Sequence, residues 1–353
     1  MLIEKSKSAE AASSEQSATG TPAIAGVRLR RALLILSAVL VAATLFALWA
    51  GYKRLDLAAL WTDEASRVVF FQLRLPRVLM AGVVGASLGV VGAALQALFR
   101  NPLAEPLTLG VSGGGALGAS VAIAFGLGAR VAGLPFVFVA AFLGAGASVL
   151  VVYRLARTGA VVLPGALLLA GVVMNTVALS GVVVVQYFAD YSRALQILRW
   201  TIGSLDTVGF DLLWRMLIFL VPGWIVLFVM ARDLHLLAVD EETAASLGVN
   251  IRRSERLVYA AAALVVGVTV AVGGTIGFVG LIVPHAVRLL FGEDVRVVLP
   301  CSFVLGAAFL MLADAAARTI LVAGELPVGA ITAVAGGPVF LWLLRRQQRY
   351  AAM

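Results

Sequence analysis

The stretch ALLILSAVLVAATLFALWAG, from Ala32 to Gly51, contains no charged residue. A helix needs about 20 consecutive apolar residues to cross about 30 Å of hydrocarbon. This stretch therefore predicts a membrane-spanning helix rather than a helix in a soluble core. A long polar lead precedes it and no clear small-residue cleavage site follows it, so we expect an uncleaved first span and not a signal peptide.

The composition of the whole chain extends this prediction. Of its 353 residues, 61% are hydrophobic and 13% are charged, whereas soluble domains carry about 25% charged residues. The mean hydropathy is +1.02. The apolar runs are continuous, which favours helices over the alternating strands of a membrane barrel. We therefore predict an all-α polytopic membrane protein with about ten transmembrane helices.

The ten predicted spans set the orientation. They cover approximately residues 32–51, 77–99, 107–126, 133–153, 162–186, 212–230, 257–273, 276–291, 296–317 and 327–344. An even number places both termini on one side. If that side is the cytoplasm, 17 of the 27 basic residues lie in inside segments, as the positive-inside rule requires. This asymmetry explains the net charge of +8 without nucleic acid as a partner, and we expect a multi-pass protein of the cell (inner) membrane.

This pattern predicts that the chain has three parts. Residues 1–31, rich in Ser, Ala and Glu, are expected to form a disordered cytoplasmic tail. Residues 32–345 form the ten-span transmembrane domain, and residues 346–353 form a cytoplasmic C-terminal tail. The spans are rich in glycine, and a stripe of Gly82, Gly85, Gly89 and Gly92 predicts close helix packing.

An internal similarity suggests a duplication of spans two to five by spans seven to ten. The strings VVGASLGVVG (83–92) and VVGVTVAVGG (265–274) match at five of ten positions. Each precedes a proline-bearing break, at Asn101-Pro102 and at Pro284-His285. Glycine-rich helices can also match in this way by chance.

Two long loops are expected to hold short helices. Residues 187–211, on the outside, are amphipathic and place Trp200 at the membrane interface. On the inside, Asp240 can cap a helix within residues 231–256 that Gly248 ends. Such a capped helix is suited to contact another subunit, although a solvated connecting loop has the same composition.

Two sequence blocks resemble a known family. RLPRVLMAGVVGASLGVVGAALQALFRNPLAEPLTLGVSGGGALGA spans Arg74–Ala119, and GTIGFVGLIVPHAVRLLFGEDVRVVLP spans Gly274–Pro300 and continues into LADAAAR. Both are similar to the FecCD/BtuC-type permease family of binding-protein-dependent ABC importers for ferric siderophores, haem and cobalamin. The resemblance implies the type II ABC importer permease fold and the transport of a ferric siderophore or similar metal chelate into the cytoplasm, with haem or cobalamin as alternative cargo. It also implies three partners: cytoplasmic ATP-binding subunits, an external or periplasmic substrate-binding protein, and a second permease subunit, expected to form a homodimer.

The chain itself cannot hydrolyse ATP through a P-loop. No G-x-x-x-x-G-K-[ST] occurs, because the last lysine is Lys53. We therefore expect a transport permease and not an enzyme, with ATP hydrolysis by a separate subunit.

The resemblance assigns Arg74, Arg77 and Arg318 to docking of the binding protein, since guanidinium groups pair bidentately with carboxylates. Alternatively, Arg74 and Arg77 anchor the second span at the interface, and Arg318 pairs with Asp314 at i, i+4.

The string DEETAASLGVN matches the coupling region of the family, which places coupling helices at about residues 238–254. The candidate contacts with the ATPase are Asp240, Glu241, Ala244, Ala245, Leu247 and Gly248.

Spans five and ten line the substrate path in this family. The resemblance places Leu163, Pro164 and Gly165 at its inner mouth and Asn175 within it. Proline at the mouth departs from the small polar residues expected there. Asn175 can equally well satisfy the backbone of a neighbouring helix.

No metal site or cofactor is expected. His285 lacks the cluster of ligands that coordination demands, and a structural role beside Pro284 is favoured. An ion-coupled secondary transporter is the alternative from another class. It requires acidic residues at mid-membrane, and Asp314 is the candidate nearest to that position.

Overall fold

The computed structural model describes residues 22–51, 63–131, 133–158, 161–162, 164–205, 209–321 and 324–351. Of the predicted N-terminal tail, residues 1–21 lie outside this part, and so do the last two residues of the C-terminal tail. Helices dominate the described residues, and the strands form two small hairpins. The all-α fold is therefore confirmed.

The helices are numbered in chain order. They are α1 (Pro22–Trp49), α2 (Glu64–Leu98, with a π-helical stretch at Val69–Arg74), α3 (Val111–Ala124), α4 (Phe136–Ala156), α5 (Pro164–Phe188), α6 (Tyr191–Ile202), α7 (Asp211–Val229), α8 (Ala231–Val239), α9 (Glu241–Ser246), α10 (Ile251–Gly273), α11 (Val279–Phe291), α12 (Val295–Thr319) and α13 (Val328–Ala351). A 3-10 turn covers Pro106–Leu109, strands β1 (Arg130–Val131) and β2 (Leu134–Pro135) pair before α4, and β3 (Arg157–Thr158) and β4 (Val161–Val162) pair before α5.

Seven of the described helices are long and apolar enough to cross a bilayer: α1, α2, α4, α5, α7, α10 and α12. Three further apolar segments, which lie in α3, α11 and α13, are shorter. Together they account for the ten predicted spans, but α1 begins at Pro22, earlier than the predicted residue 32, and α13 continues to Ala351, through the predicted tail.

Helix α2 forms the centre of the bundle. In its apolar window 89% of the residues are buried, against 17% in α5. Its most extensive partner is α12, and three glycines of the predicted stripe, Gly82, Gly85 and Gly89, face that helix. A Cβ on Gly85 would overlap the carbonyl oxygen of Gly306, and one on Gly92 would overlap that of Gly280 in α11. The backbones touch here, as small residues permit between membrane helices.

Helices α3 and α11 are short because the chain breaks before each of them. At about 1.5 Å per residue their 14 and 13 residues rise only about 20 Å. Gly110 (φ +79°) precedes α3, and Phe278 (φ +66°) precedes α11. The predicted break at Pro284-His285 is wrong, since α11 runs through Pro284 and the break lies at residues 274–278. Proline is tolerated inside a membrane helix because neighbours and local adjustment satisfy the freed backbone groups.

The predicted surface helix of residues 187–211 is α6. The Asp190 side chain accepts a hydrogen bond from the Arg193 backbone N–H at 3.0 Å, which caps its first turn. Trp200 is half-buried and packs against the bundle. This packing holds the helix against the spans.

Candidate functional site

Two ends of the bundle carry the predicted contact residues. We call the end with residues 231–250 the inner end and the end with residues 189–205 the outer end, after the orientation that the sequence predicts. Arg100, at the close of α2, lies at the inner end beside α9. Arg74 and Arg318 lie together at the outer end beside the last turn of α1.

At the inner end, α9 has the caps that the sequence predicts. The Asp240 carboxylate accepts a hydrogen bond from the Thr243 backbone N–H at 2.8 Å and one from the Thr243 hydroxyl at 3.1 Å. These bonds hold the pKa of Asp240 below its ordinary value. Gly248, with φ +84°, ends the helix in a conformation that glycine adopts without steric cost. The predicted capped helix is therefore present at this position.

Most of the predicted coupling surface is open. Glu241, Ala245, Leu247 and Gly248 are exposed, whereas Ala244 is completely buried. The buried alanine packs α9 onto the bundle, the Glu241 carboxylate pairs with Arg100 at the close of α2, and Ala245, Leu247 and Gly248 stay exposed. The helix therefore presents a compact surface on a fixed base.

A second short helix, α8, precedes α9 and lies almost entirely upstream of the predicted coupling range, 238–254. Leu234 and Leu237 are buried, and their i, i+3 spacing is the signal that reveals this helix in the sequence. His235 Nδ1 lies 3.7 Å from an Asp294 carboxylate oxygen. Burial lowers the pKa of His235 despite that carboxylate. Helix α8 thus connects α9 to the start of α12.

At the outer end, the predicted docking arginines form part of a buried ionic cluster. Asp314, which is completely buried, lies 3.0 Å from Arg77 and 2.9 Å from Arg318. Arg77 also pairs with Glu325 at 2.6 Å. The pairing of Arg318 with Asp314, which the sequence offered as the alternative to a docking role, is therefore present. Glu325, whose side chain is 43% exposed, is the solvent-facing member of the cluster.

Arg74 and Arg318 hold the last turn of α1. Arg74 donates a hydrogen bond to the Leu48 carbonyl at 3.0 Å, and Arg318 donates to the Ala50 and Ala47 carbonyls at 3.2 and 3.1 Å. The carbonyls at the end of a helix lack intrahelical partners. Both arginines therefore have a structural role beside any role in docking.

The predicted path residues are separated. Leu163 lies outside the described residues, Pro164 is the first residue of α5, and Gly165 is exposed. The Asn175 amide Nδ2 donates to the Leu107 carbonyl at 2.8 Å, and its Oδ1 accepts from the Gly113 N–H at 2.9 Å. The Asn175 amide therefore satisfies a neighbouring backbone, the alternative that the sequence left open.

The face of α5 that points away from the 3-10 turn carries both polar and apolar residues. The described chain does not cover it. Thr176 and Ser180 are exposed, and so are Val173, Val177 and Val183, at 54 to 64%. The Thr176 and Ser180 hydroxyls donate to carbonyls of their own helix at 3.0 Å. This face can therefore lie against a second subunit or a water-filled path without leaving hydroxyl groups unbonded.

Among the described residues, no three His, Cys, Asp or Glu side chains group as metal ligands. His285 is half-buried in α11. Cys301 is a buried free thiol in α12, where it acts as a small apolar residue.

The chain is similar in sequence to a known family of transport proteins. The FecCD transport family matches residues 27–346. The hemin transport system permease protein of Yersinia pestis is 40% identical over 303 residues, 84% of this chain and 90% of that protein. The vitamin B12 import system permease protein of Shigella boydii is 38% identical over 321 residues, 90% of this chain and 96% of that protein.

A solved structure agrees with these relatives. An inward-facing conformation of a metal-chelate type ABC transporter superposes with a TM-score of 0.78 at 32% identity and covers 90% of this chain and 99% of that one. The family match extends across every span, and the relatives align over most of their length. The chain therefore belongs to the FecCD transport family.

Proposed function

We propose that this chain is the membrane-spanning permease subunit of an ATP-driven importer that carries a ferric siderophore or similar metal chelate into the cytoplasm. Haem and cobalamin are the alternative cargo. In this proposal separate cytoplasmic subunits hydrolyse ATP, an external or periplasmic protein delivers the cargo, and a second copy of the chain completes the path.

The observation that carries the proposal is α9, a capped helix that leaves its acidic first turn exposed at the inner end. The family match supports the same role for this helix. We propose that Asp240, Glu241, Ala245, Leu247 and Gly248 contact the ATPase, with Ala244 as the buried base. The acidic first turn suits basic groups on the partner.

For the outer end we propose that Arg77 and Arg318, together with Arg74, receive acidic side chains of the binding protein. Their burial limits direct contact, so an acidic side chain of the partner would have to replace Glu325, the exposed carboxylate that pairs with Arg77. Replacing both Arg74 and Arg77 by Glu should weaken association with the binding protein. Retention of the ATPase by the detergent-solubilised variant is the control for folding, and unchanged binding at low salt would contradict the docking role.

The open face of α5 supports a second subunit. Residues such as Thr176 and Val177 would line the path between two copies, with Leu163, Pro164 and Gly165 at its inner mouth. Asn175 would set the position of this face rather than touch the cargo. Both termini would then lie in the cytoplasm.

A secondary carrier is less well supported. Asp314, the acidic residue that the sequence placed nearest to mid-membrane, is paired with Arg77 and Arg318. Its charge is compensated within the protein and is not available to a coupling ion.

Transport by proteoliposomes tests the function. The permease is reconstituted with its ATPase, and uptake of ferric hydroxamate, hemin and cyanocobalamin is measured with the matching binding protein outside. ATP-dependent uptake of the ferric chelate is the expected result. Uptake of only hemin or only cyanocobalamin would show that this compound is the cargo instead. Uptake driven by a proton gradient without ATP would refute the ABC mechanism.

A further inference from the structure

The segment between α2 and α3, Arg100 to Gly110, contacts four other helices: α4, α5, α9 and α11. We call it the linking segment. At its start Arg100 has φ +49° and its guanidinium pairs with the Glu241 carboxylate of α9. Both side chains are partly exposed, 42% and 48%. An exposed pair of this kind contributes little to folding, but it joins α9 to the linking segment.

At its far end the linking segment is bound to α5. The Asn175 amide contacts the Leu107 carbonyl and the Gly113 N–H. One turn earlier on α5, Gly171 lies so close to the Thr108 carbonyl that a Cβ there would overlap it. The Gly110 carbonyl accepts a hydrogen bond from the Ser148 hydroxyl of α4 at 2.6 Å. The segment therefore cannot shift without moving α5 or breaking these contacts.

The middle of the segment is bound to α11. The Glu105 carboxylate accepts a hydrogen bond from the Phe278 backbone N–H, next to the start of α11. The side-chain amide Nε2 of Gln96, in α2, donates hydrogen bonds to the Ala104 carbonyl at 3.2 Å and to the Gly280 carbonyl at 3.1 Å. Movement of the segment would therefore also reach α11.

Hydrogen bonds within the segment order it as two successive turns. The Asn101 side chain accepts from the Leu103 N–H at 2.9 Å, and the Asn101 carbonyl accepts from the Ala104 N–H at 3.1 Å. The Glu105 carbonyl accepts from the Thr108 N–H at 3.0 Å. A displacement applied at Arg100 would thus be carried to Thr108 rather than absorbed in a flexible loop.

We propose that the linking segment transmits movement of α9 to α5 and α11, with Arg100 and Asn175 as the positioning residues at its two ends. The inference rests on the proposed function, since it takes α9 as the contact of the ATPase. Because α5 carries the exposed face assigned to the path, the segment gives ATP-driven motion a direct route to that face.

The test measures the exposure of α5 and needs no cargo. A Thr176→Cys variant is purified with its ATPase in nanodiscs, and its maleimide labelling rate is compared with and without ATP plus vanadate. Cys301 is buried, and the protein without Thr176→Cys gives its background rate. We expect nucleotide to change the labelling rate by at least about fivefold, the lower end of typical allosteric coupling.

A double-mutant cycle then isolates the contact at α9. Arg100→Gln and Glu241→Gln should each remove most of the nucleotide response, and the double variant should lose no more than either single one. Neutral substitutions avoid placing a new charge on the ATPase contact. Arg154→Gln, an exposed arginine at the inner end of α4, is the matched control and should keep the full response.

The second arm addresses α5. Asn175→Ala should reduce the response while the complex with the ATPase stays intact. A full response in Arg100→Gln, strictly additive losses in the cycle, or a full response in Asn175→Ala would overturn the inference. A parent complex that fails to assemble with an ATPase, or that imports without ATP, would instead refute the proposed function.

Discussion

At the scale of single residues, close backbone contact and buried charge govern the core. Gly85 and Gly306 allow α2 and α12 to touch, which gives membrane helices the packing that they cannot obtain from the hydrophobic effect. Asp314 offsets two arginines at the outer end. Both features are local, so single substitutions can test them.

Gly85→Ala should destabilise the bundle by about 1–3 kcal/mol, the usual cost of overpacking a core. The added methyl group would overlap the Gly306 carbonyl, which belongs to backbone and cannot rotate away. Gly146→Ala is the control, because its Cβ would meet no atom within 4 Å. Apparent melting temperatures in detergent compare the two, and equal values would show that α2 and α12 separate readily.

Asp314→Asn should destabilise the protein by about 3–5 kcal/mol, because it leaves buried arginines without compensation. The side chains of Arg77 and Arg318 are only 14% and 6% exposed. Glu325→Gln removes a 43% exposed partner and should change stability by less than about 1 kcal/mol. If thermal unfolding shows the reverse order, Asp314 is not the centre of the cluster.

At the scale of elements, helix α9 combines a strong cap with a glycine stop. The Asp240 carboxylate and the positive φ of Gly248 define a six-residue helix, which is too short to be stable by itself. Packing of the buried Ala244 against the bundle supplies the remaining stability of the helix. The cap, the glycine stop and the buried alanine together hold α9 in one register.

Gly248→Trp should abolish coupled transport while expression survives. A tryptophan at φ +84° strains the turn and adds bulk beside the exposed coupling surface. Gly292→Trp is the matched control, since Gly292 has φ +92°, lies at the inner end between α11 and α12, and has open space at its Cβ. ATPase copurification and uptake are measured for both, and unchanged values for Gly248→Trp would remove α9 from the coupling role.

At the scale of the whole molecule, the helix lengths repeat. A long helix, a break, a short helix and another long helix occur as α2, α3 and α4 and again as α10, α11 and α12. This order agrees with the proposed duplication of spans two to five by spans seven to ten. A duplication of this kind agrees with the predicted even number of spans, which would place both termini on the same side of the membrane.

Both termini should lie in the cytoplasm. An alkaline phosphatase fused after Arg349 should be inactive, whereas a fusion within residues 203–205, between α6 and α7, should be active. The basis is the bias of basic residues toward the inner segments. An active fusion after Arg349 would show that the protein has the opposite orientation. Helix α9 would then lie on the wrong side of the membrane for an ATPase.

The sequence alone was sufficient to predict the features that depend on local signals. Continuous apolar runs predicted the spans, the glycine stripe predicted close packing of the second span, and Asp240 with Gly248 predicted α9. Each of these signals depends on residues that are close along the chain, because length, spacing and caps determine a helix locally.

Only the tertiary structure decided the features that depend on distant residues. Sequence spacing gave no reason to join Arg77 to Glu325 or Asn175 to Leu107. It also placed the second break at Pro284, because proline is a local helix breaker, although the neighbouring helices allow α11 to continue through it and the chain breaks at Phe278 instead. Buried polar groups must find partners wherever the fold supplies them, so their roles follow from packing and not from the order of residues.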